Sequence, residues 1–158
     1  MVVCWVAASF NYYLITFLMK YIPGNIFVNT CFATISEASG YIIGGIYLGK
    51  FGPRKALSFV YFVSCISGII LLICIESNIV YLIPFFILGS KFGVSAGFNA
   101  VYLSNMKLFP TEHIGKAFGI CNIMAKFSTI ISPEMAEQEQ PIPLLFFIGT
   151  TFAASMLA

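Results

Sequence analysis

The 158-residue chain is too apolar for a water-soluble domain, because 59% of its residues are hydrophobic, only 9% are charged and its mean hydropathy is +0.95. This composition excludes an ordinary soluble core and predicts an all-α membrane protein embedded in a lipid bilayer. The net charge of +2 is spread over short turns, so no basic patch indicates nucleic acid as a partner.

The first apolar run is long enough to cross a membrane, and it lacks the basic start and the small-residue cleavage pattern of a signal peptide. Turn-forming and charged residues divide the rest of the chain into further apolar segments. We therefore predict one domain over residues 1–158 with six spans. The spans are at about 3–20, 27–49, 56–75, 80–106, 116–133 and 142–158.

The basic residues of the predicted turns lie almost entirely on one side of the membrane. When the six spans alternate in direction, one side receives Lys50, Arg54, Lys55, Lys107 and Lys116. The other side receives only Lys20. The positive-inside rule therefore predicts that the basic side, together with both ends of the chain, is cytoplasmic.

Three charges are predicted to lie deep within the spans. Lys91 and Lys126 lie about 14 to 17 Å from the starts of their helices, near the middle of a hydrocarbon core of about 30 Å. Glu37 lies within the second span. A charge at this depth costs about 2.5 to 3.5 kcal/mol and usually faces a water-accessible cavity. The three residues therefore predict a substrate or ion site.

Polar residues recur at helical spacing in four of the predicted spans. They are Trp5, Ser9, Tyr12 and Thr16; Thr30, Thr34, Glu37 and Tyr41; Lys91, Ser95, Asn99 and Tyr102; and Asn122, Lys126 and Thr129. Four such helices can line an aqueous path, which leaves the third and sixth helices for the lipid-facing periphery. The alternative is that the small polar residues only cross-link helices through hydrogen bonds.

Four Gly-x-x-x-Gly pairs predict where helices approach one another closely. The pairs are Gly40 and Gly44, Gly45 and Gly49, Gly93 and Gly97, and Gly115 and Gly119. Two glycines one turn apart remove side chains from a helix face, which favours close packing. A transporter could also use such smooth faces for sliding, and the pattern leaves both roles open.

A family resemblance is carried by the run Leu88-Gly-Ser-Lys-Phe-Gly-Val-Ser-Ala-Gly-Phe-Asn-Ala-Val-Tyr-Leu and by Leu108-Phe-Pro-Thr after it. These residues closely resemble helix ten and the following loop of the organic cation and organic anion transporter family, within the major facilitator superfamily. That family's loop between helices seven and eight is similar to residues 24–29, and its helix eight is similar to the segment around Glu37. Its loop between helices eight and nine is similar to residues 49–55. The similarity extends over nearly the whole chain.

The resemblance implies that the six spans are helices seven to twelve of a twelve-helix carrier and form its C-terminal half-bundle. It implies transport of small organic ions by alternating access, in the plasma membrane and without a cofactor. It also implies an amino-terminal half, in the same polypeptide or in a partner subunit. The midspan charges and the polar stripes predict the substrate-binding residues of such a carrier, which are Lys126, Lys91, Glu37, Asn122, Tyr12 and Asn99.

Lys126 bears on the charge of the substrate. In the resembling family this position tends to be basic in anion carriers and acidic in cation carriers, so Lys126 implies an organic anion such as a carboxylate or a sulfonate. A structural pairing of Lys126 with Glu37, or with an acid of the other half, is the alternative. A neutral Lys126 with a role in proton coupling also remains open.

The predicted cytoplasmic gate loop departs from the family pattern. It keeps the basic residues Lys50, Arg54 and Lys55, but Gly49 stands where the family has an acid and Pro53 where it has an arginine. We therefore expect a weakened gate network or a different set of gating residues.

Other classes of protein are less compatible with these residues. Ser95 of Gly93-Val-Ser-Ala-Gly lies inside an apolar helix, and His113 is about 27 Å farther along, so we expect no serine hydrolase and no enzyme. The cysteines lie in apolar segments without a Cys-x-x-Cys pair, which predicts neither a disulfide nor a metal site. A sugar-porter-like carrier and a non-transporting half-size subunit remain alternatives.

The topology can be tested by cysteine labelling in a variant cleared of its native cysteines. We expect a single cysteine at Asn78 to react with a membrane-impermeant maleimide added to intact cells, because Asn78 lies in a predicted outer turn. A single cysteine at Lys107 is the control and should react only after permeabilisation. Labelling of Asn78→Cys from the cytoplasmic side alone would contradict the topology.

Overall fold

The computed structural model describes residues 2–158 and confirms the all-α prediction. Within that range the chain forms six α-helices and one short 3-10 helix, with no β-strand. The helices are α1 (Val2–Leu18), α2 (Ile26–Phe51), α3 (Pro53–Glu76), α4 (Ile83–Leu108), α5 (Thr111–Ala136) and α6 (Ile142–Leu157), and the 3-10 helix Val80–Leu82 precedes α4. Helices satisfy every backbone polar group inside one segment, as a hydrocarbon environment requires.

The helices differ in length. Four helices are long and apolar enough to cross a membrane: α2, α3, α5, and α4 together with the 3-10 helix. The helices α1 and α6 have 17 and 16 residues and are equally apolar. At a rise of about 1.5 Å per residue they extend about 24 to 26 Å, less than a hydrocarbon core of about 30 Å. The described parts of these two helices are therefore shorter than the other four helices.

Several predicted turns are parts of helices. Lys50 lies in the last turn of α2, and the link to α3 is Gly52 alone, whose φ of +83° favours glycine. The helix α5 continues through Pro133 to Ala136, beyond its predicted end. The helices extend past the predicted spans here because hydropathy marks the edge of the hydrocarbon layer, whereas a helix continues into the polar layer beyond it.

The loop predicted to resemble the helix seven to eight connection is the beginning of α2. Asn25 is the N-cap, and its side chain accepts a hydrogen bond from the backbone nitrogen of Phe27 at 3.0 Å. This bond satisfies one of the free N–H groups at the helix start.

The helices form two layers, each held by contacts between the two halves of the chain. In the front layer α2 packs on α4, α4 on α1, and α1 on α5. The helices α3 and α6 lie behind them, with α3 on α4 and α6 on both α1 and α3. The helices α1 to α3 form one half of the chain, and α4 to α6 form the other. In each half the middle helix packs on the first helix of the other half. This arrangement is compatible with two three-helix repeats of opposite orientation.

Two of the four glycine pairs bring helices together, and two do not. A Cβ atom at Gly44 would lie 2.9 Å from the Cβ of Ala96 in α4, and one at Gly93 would lie 2.5 Å from the carbonyl oxygen of Val60 in α3. In contrast, Gly49, Gly115 and Gly119 have no such neighbour within 4 Å among the described residues. A Cβ atom at Gly45 would lie 3.9 Å from Nδ2 of Asn99 in α4, an ordinary contact distance. Among the described residues, neither the pair at 45 and 49 nor the pair at 115 and 119 therefore brings two helix backbones into close contact.

Serines connect the back layer by hydrogen bonds, as the cross-linking alternative proposed. The Ser58 hydroxyl donates to the Ser155 carbonyl at 2.9 Å, and the Ser155 hydroxyl donates to the Ser58 carbonyl at 3.0 Å. The Ser64 hydroxyl donates to the carbonyl of Ser90 in α4 at 3.0 Å. These bonds satisfy polar groups away from water and fix α3 against α4 and α6.

The glycine contacts predict a specific loss of stability. We expect Gly93→Ala to destabilise the bundle by about 1 to 3 kcal/mol, because the added methyl group would overlap the backbone of α3. Gly119→Ala is the matched control, since it makes the same exchange inside a helix without a neighbour within 4 Å. Melting temperatures in detergent should fall for Gly93→Ala only. Equal melting temperatures for the two variants would contradict the close approach of α3 and α4.

Candidate functional site

A chain of polar and aromatic contacts crosses all four helices of the front layer. We call its members the polar cluster: Tyr12, Tyr13, Thr16, Glu37, Tyr41, Lys91, Phe98, Asn99, Tyr102, Asn122 and Lys126. On α4 these residues point away from Gly93 and Gly97, which face α3. The structure thus brings together all six of the predicted binding residues, but they differ in burial and in hydrogen-bond partners.

Lys91 lies inside the bundle and is only 3% exposed. Its ammonium group donates a hydrogen bond to the hydroxyl of Thr16 at 2.5 Å and lies 3.8 Å from the centre of the Tyr12 ring. Both partners belong to α1, so the lysine joins α4 to α1 through a hydrogen bond and a cation–π contact. Within the described residues the charge of Lys91 therefore faces internal partners and not an open cavity. Its part in a substrate or ion site stays a prediction.

Glu37 receives hydrogen bonds from two tyrosines. The hydroxyl of Tyr12 donates to Oε1 at 2.5 Å, and the hydroxyl of Tyr41 donates to the same oxygen at 3.3 Å. The carboxylate is half-buried, and Tyr41 is 39% exposed. Among residues 2–158 no lysine nitrogen lies within 4.0 Å of Glu37, so the acid and Lys91 are linked only through Tyr12.

Asparagines extend the polar cluster toward both edges of the front layer. The Asn99 side chain donates to the carbonyl oxygen of Tyr41 at 3.1 Å and so ties α4 to α2. The hydroxyl of Tyr102 donates to Oδ1 of Asn122 at 3.3 Å and ties α4 to α5. Each asparagine therefore keeps hydrogen-bonding capacity that these single contacts do not use.

Aromatic rings fill the space between the polar groups. The ring centre of Phe98 lies 5.4 Å from that of Tyr12 and 5.0 Å from that of Tyr102. The ring centre of Trp5 lies 4.5 Å from that of Tyr102. Such contacts hold the tyrosines in place and give the cluster an apolar lining between its charges.

Lys126 differs from Lys91 in being exposed. Its ammonium nitrogen lies 5.6 Å from the centre of the Tyr13 ring, and no carboxylate in the part of the chain that the structure describes comes within 4.0 Å of it. Asn122 and Phe127 line a surface depression of about 340 Å³ together with Lys126. The structure shows no pairing of Lys126 with Glu37, the first of the two pairings considered from the sequence.

Four other members of the predicted stripes do not reach the cluster. Ser9 and Ser95 are buried, and Ser95 faces the close approach of Gly40. Thr30 and Thr34 are exposed on α2, where the Thr34 hydroxyl donates to the Thr30 carbonyl at 2.9 Å. Helical spacing identified the correct helices, but it did not separate side chains that face the cluster from those that face a neighbouring helix.

The sequence reasoning missed Tyr13 and Phe98. Both lie one residue from predicted site residues, Tyr12 and Asn99. Both also fit the spacing of three or four residues, but the predicted stripes kept one polar residue per turn and passed over the ring beside it. A search for aromatic residues beside the midspan charges would have found them. Tyr13 matters most because its ring is the neighbour of the Lys126 ammonium group.

The gate-loop residues lie apart from the cluster. Lys50 is in the last turn of α2, and Arg54 and Lys55 are in the first turn of α3, all three exposed at one end of the bundle. Their role as a cytoplasmic gate stays a prediction. His113 lies in the first turn of α5, far along the chain from the buried Ser95.

No cluster of histidine, cysteine and carboxylate side chains suited to a metal ion occurs within residues 2–158. The cysteines in this range are free thiols, and Cys31 is exposed while Cys4, Cys65, Cys74 and Cys121 are buried. An apolar groove of about 340 Å³ between α1, α5 and α6 contains no predicted site residue. The polar cluster is thus the chemically distinctive part of the described structure.

Comparison with known proteins shows that this chain is similar to proteins named as transporters. No family model matches it. The Caenorhabditis elegans protein B0252.3, named as a transporter, is 28% identical over 134 residues, which cover 84% of this chain and 26% of that protein. The human organic cation/carnitine transporter 2 is 25% identical over 134 residues, covering 84% of this chain and 24% of the relative. The rat synaptic vesicle 2-related protein is 24% identical over 118 residues, covering 75% and 21%.

These relatives confirm the resemblance to the organic cation and anion transporter family. The matched residues span about a quarter of the length of each relative (26%, 24% and 21%). Together with the apolar helices, the similarity indicates a multi-pass membrane protein. Its all-α six-helix bundle is consistent with a half-bundle of the major facilitator type.

Proposed function

We propose that this chain, a membrane half-bundle similar to organic cation/carnitine transporters, is the C-terminal half of a carrier that moves small organic ions across the plasma membrane by alternating access. Transport itself is supported by the relatives, which are named as transporters. The organic-ion substrate and the mechanism are our inference from the polar cluster.

One observation carries the proposal: the polar cluster lies on the front layer, while α3 and α6, the two helices without a predicted polar stripe, lie behind it. In a carrier of this type the substrate is held near the membrane midplane between two halves. The front layer supplies polar groups from α1, α2, α4 and α5, which is one wall of such a site. We propose that an amino-terminal half, in the same polypeptide or in a partner subunit, supplies the other wall.

Lys126 is the residue that we propose to bind the substrate charge. It is exposed, it lines a depression, and no described carboxylate compensates its charge. An ammonium group in this position would pair directly with a carboxylate or a sulfonate, and the low-dielectric surroundings would strengthen the attraction. The ring of Tyr13 would contact the apolar part of an aromatic anion.

The remaining predicted residues would have supporting roles. Asn122 and Asn99 have free hydrogen-bonding capacity and would orient polar groups of the substrate. Tyr12 joins Glu37 to Lys91, so we assign these three residues to the organisation of the site and not to direct capture of an anion.

Substitutions at Lys126 test this assignment in the complete carrier. We expect Lys126→Ala to raise the KM for benzenesulfonate uptake about tenfold or more, because the lost charge-assisted hydrogen bond is worth about 1.5 to 3 kcal/mol. Lys126→Arg should retain most of the uptake, and Lys126→Asp should abolish it or turn the preference toward tetraethylammonium.

Lys116→Ala is the matched control, since it removes an exposed lysine from the same helix at a distance from the polar cluster. Surface expression of every variant is measured in parallel. Unchanged benzenesulfonate uptake by Lys126→Ala at normal surface expression would exclude Lys126 as the anion-binding residue.

A second experiment tests whether the chain acts as one half of a carrier. Expressed alone and reconstituted into vesicles, it should insert without saturable uptake, because its polar cluster forms only one wall of the path. Uptake should appear when an amino-terminal six-helix half is present. Saturable uptake by the monomeric chain alone would overturn the half-carrier proposal, and uptake that tracks dimer formation would support assembly from two copies.

A further inference from the structure

The most unusual contact in the structure is the Tyr12 ring between two opposite charges. The Lys91 ammonium group lies 3.8 Å from the ring centre, and the Tyr12 hydroxyl donates to Glu37 at 2.5 Å. The three residues come from α4, α1 and α2. A tyrosine ring in this position links a cation and an anion that do not touch.

The two contacts reinforce each other. A hydrogen bond from the hydroxyl to a carboxylate increases the electron density of the ring. Higher electron density on the ring face attracts the lysine ammonium group more strongly. Thr16 completes the arrangement, since its hydroxyl accepts from Lys91 at 2.5 Å and donates to the Tyr12 carbonyl at 2.6 Å. The negative charge of Glu37 is thereby engaged in balancing the buried lysine.

This balance decides which charge the site offers to a ligand. If Glu37 compensates Lys91 through Tyr12, Lys126 is the uncompensated charge among the three midspan residues. Glu37 is nevertheless only half-buried. The other tyrosine that donates to it, Tyr41, is 39% exposed, and its hydrogen bond is longer, at 3.3 Å. Loss of the Tyr12 hydroxyl would therefore leave a carboxylate within reach of an organic cation.

We infer that Tyr12 is a positioning residue that sets the charge preference of the site: by tying Glu37 to Lys91 it keeps organic cations from the carboxylate and reserves the site for organic anions bound at Lys126. The inference rests on the proposed function and deepens it by naming the residue that selects the substrate class. Tyr41 does not duplicate the role, because it lies on the same helix as Glu37, whereas the described partners of the Lys91 ammonium group are Tyr12 and Thr16 of α1.

Tyr12→Phe tests the inference because it keeps the ring over which Lys91 lies and removes only the hydroxyl. In membranes from cells that express the full chain, dicyclohexylcarbodiimide should label Glu37 at least about threefold more in this variant than in the wild type, because the carboxylate loses its strongest hydrogen bond. Mass spectrometry of the peptide that contains Glu37 measures the label. Tetraethylammonium should protect Glu37 at a concentration about tenfold lower than in the wild type.

Tyr47→Phe is the matched control. Tyr47 is on the same helix as Glu37, but its ring stacks on Phe51 and Phe59 away from the polar cluster, so the labelling of Glu37 should stay at the wild-type level. Combining Tyr12→Phe with Glu37→Gln should abolish both the label at this position and any gain in tetraethylammonium uptake. Melting temperatures of the variants verify that the bundle remains folded.

The labelling and the uptake separate this inference from the proposed function. Equal labelling of Glu37 in Tyr12→Phe and in the wild type would overturn the inference, even in a carrier that transports organic anions. Increased labelling in Tyr12→Phe with stronger protection by tetraethylammonium supports it. If the complete wild-type carrier takes up neither benzenesulfonate nor tetraethylammonium while the labelling increases, the proposed function fails and the engagement of Glu37 by Tyr12 stands.

Discussion

The buried ammonium group of Lys91 is the constraint on which the arrangement of the front layer depends. A lysine in the middle of an apolar helix must have its charge satisfied by the protein. Thr16 and Tyr12 do so on α1, and Tyr12 extends the contact to Glu37 on α2. One charge on α4 thus requires α1 and α2 to lie at defined rotations against it.

The glycines make this arrangement geometrically accessible. At Gly40 and Gly44 the backbone of α2 approaches α4, and at Gly93 and Gly97 the backbone of α4 approaches α3. The helix α4 is therefore held on two sides, while serine hydrogen bonds hold α3 and α6 together behind it. Close packing at the back leaves the larger polar and aromatic side chains on the front layer, where the proposed substrate path lies.

The helix α5 differs from α4 in its packing, in its glycine contacts and in the exposure of its midspan lysine. It packs mainly on α1, its glycines at 115 and 119 have no neighbour within 4 Å, and Lys126 is exposed near its middle. A charge on such an edge can respond to a ligand or to a second half-bundle without breaking an internal contact. The two midspan lysines therefore divide two tasks: one organises the bundle, and the other remains available.

The sequence by itself determined the helical membrane class through its composition and the family resemblance through its residue runs. It also determined the midspan positions of Lys91, Lys126 and Glu37, because the residue count gives the depth of a side chain along its helix. Only the tertiary structure decided that Lys91 is satisfied internally and Lys126 is not, and which glycines are in contact. Those outcomes depend on how each helix is rotated against its neighbours, and a stripe at helical spacing does not say what another helix places opposite it. The helix ends also came only from the structure, since hydropathy follows the bilayer and not the hydrogen bonds of the backbone.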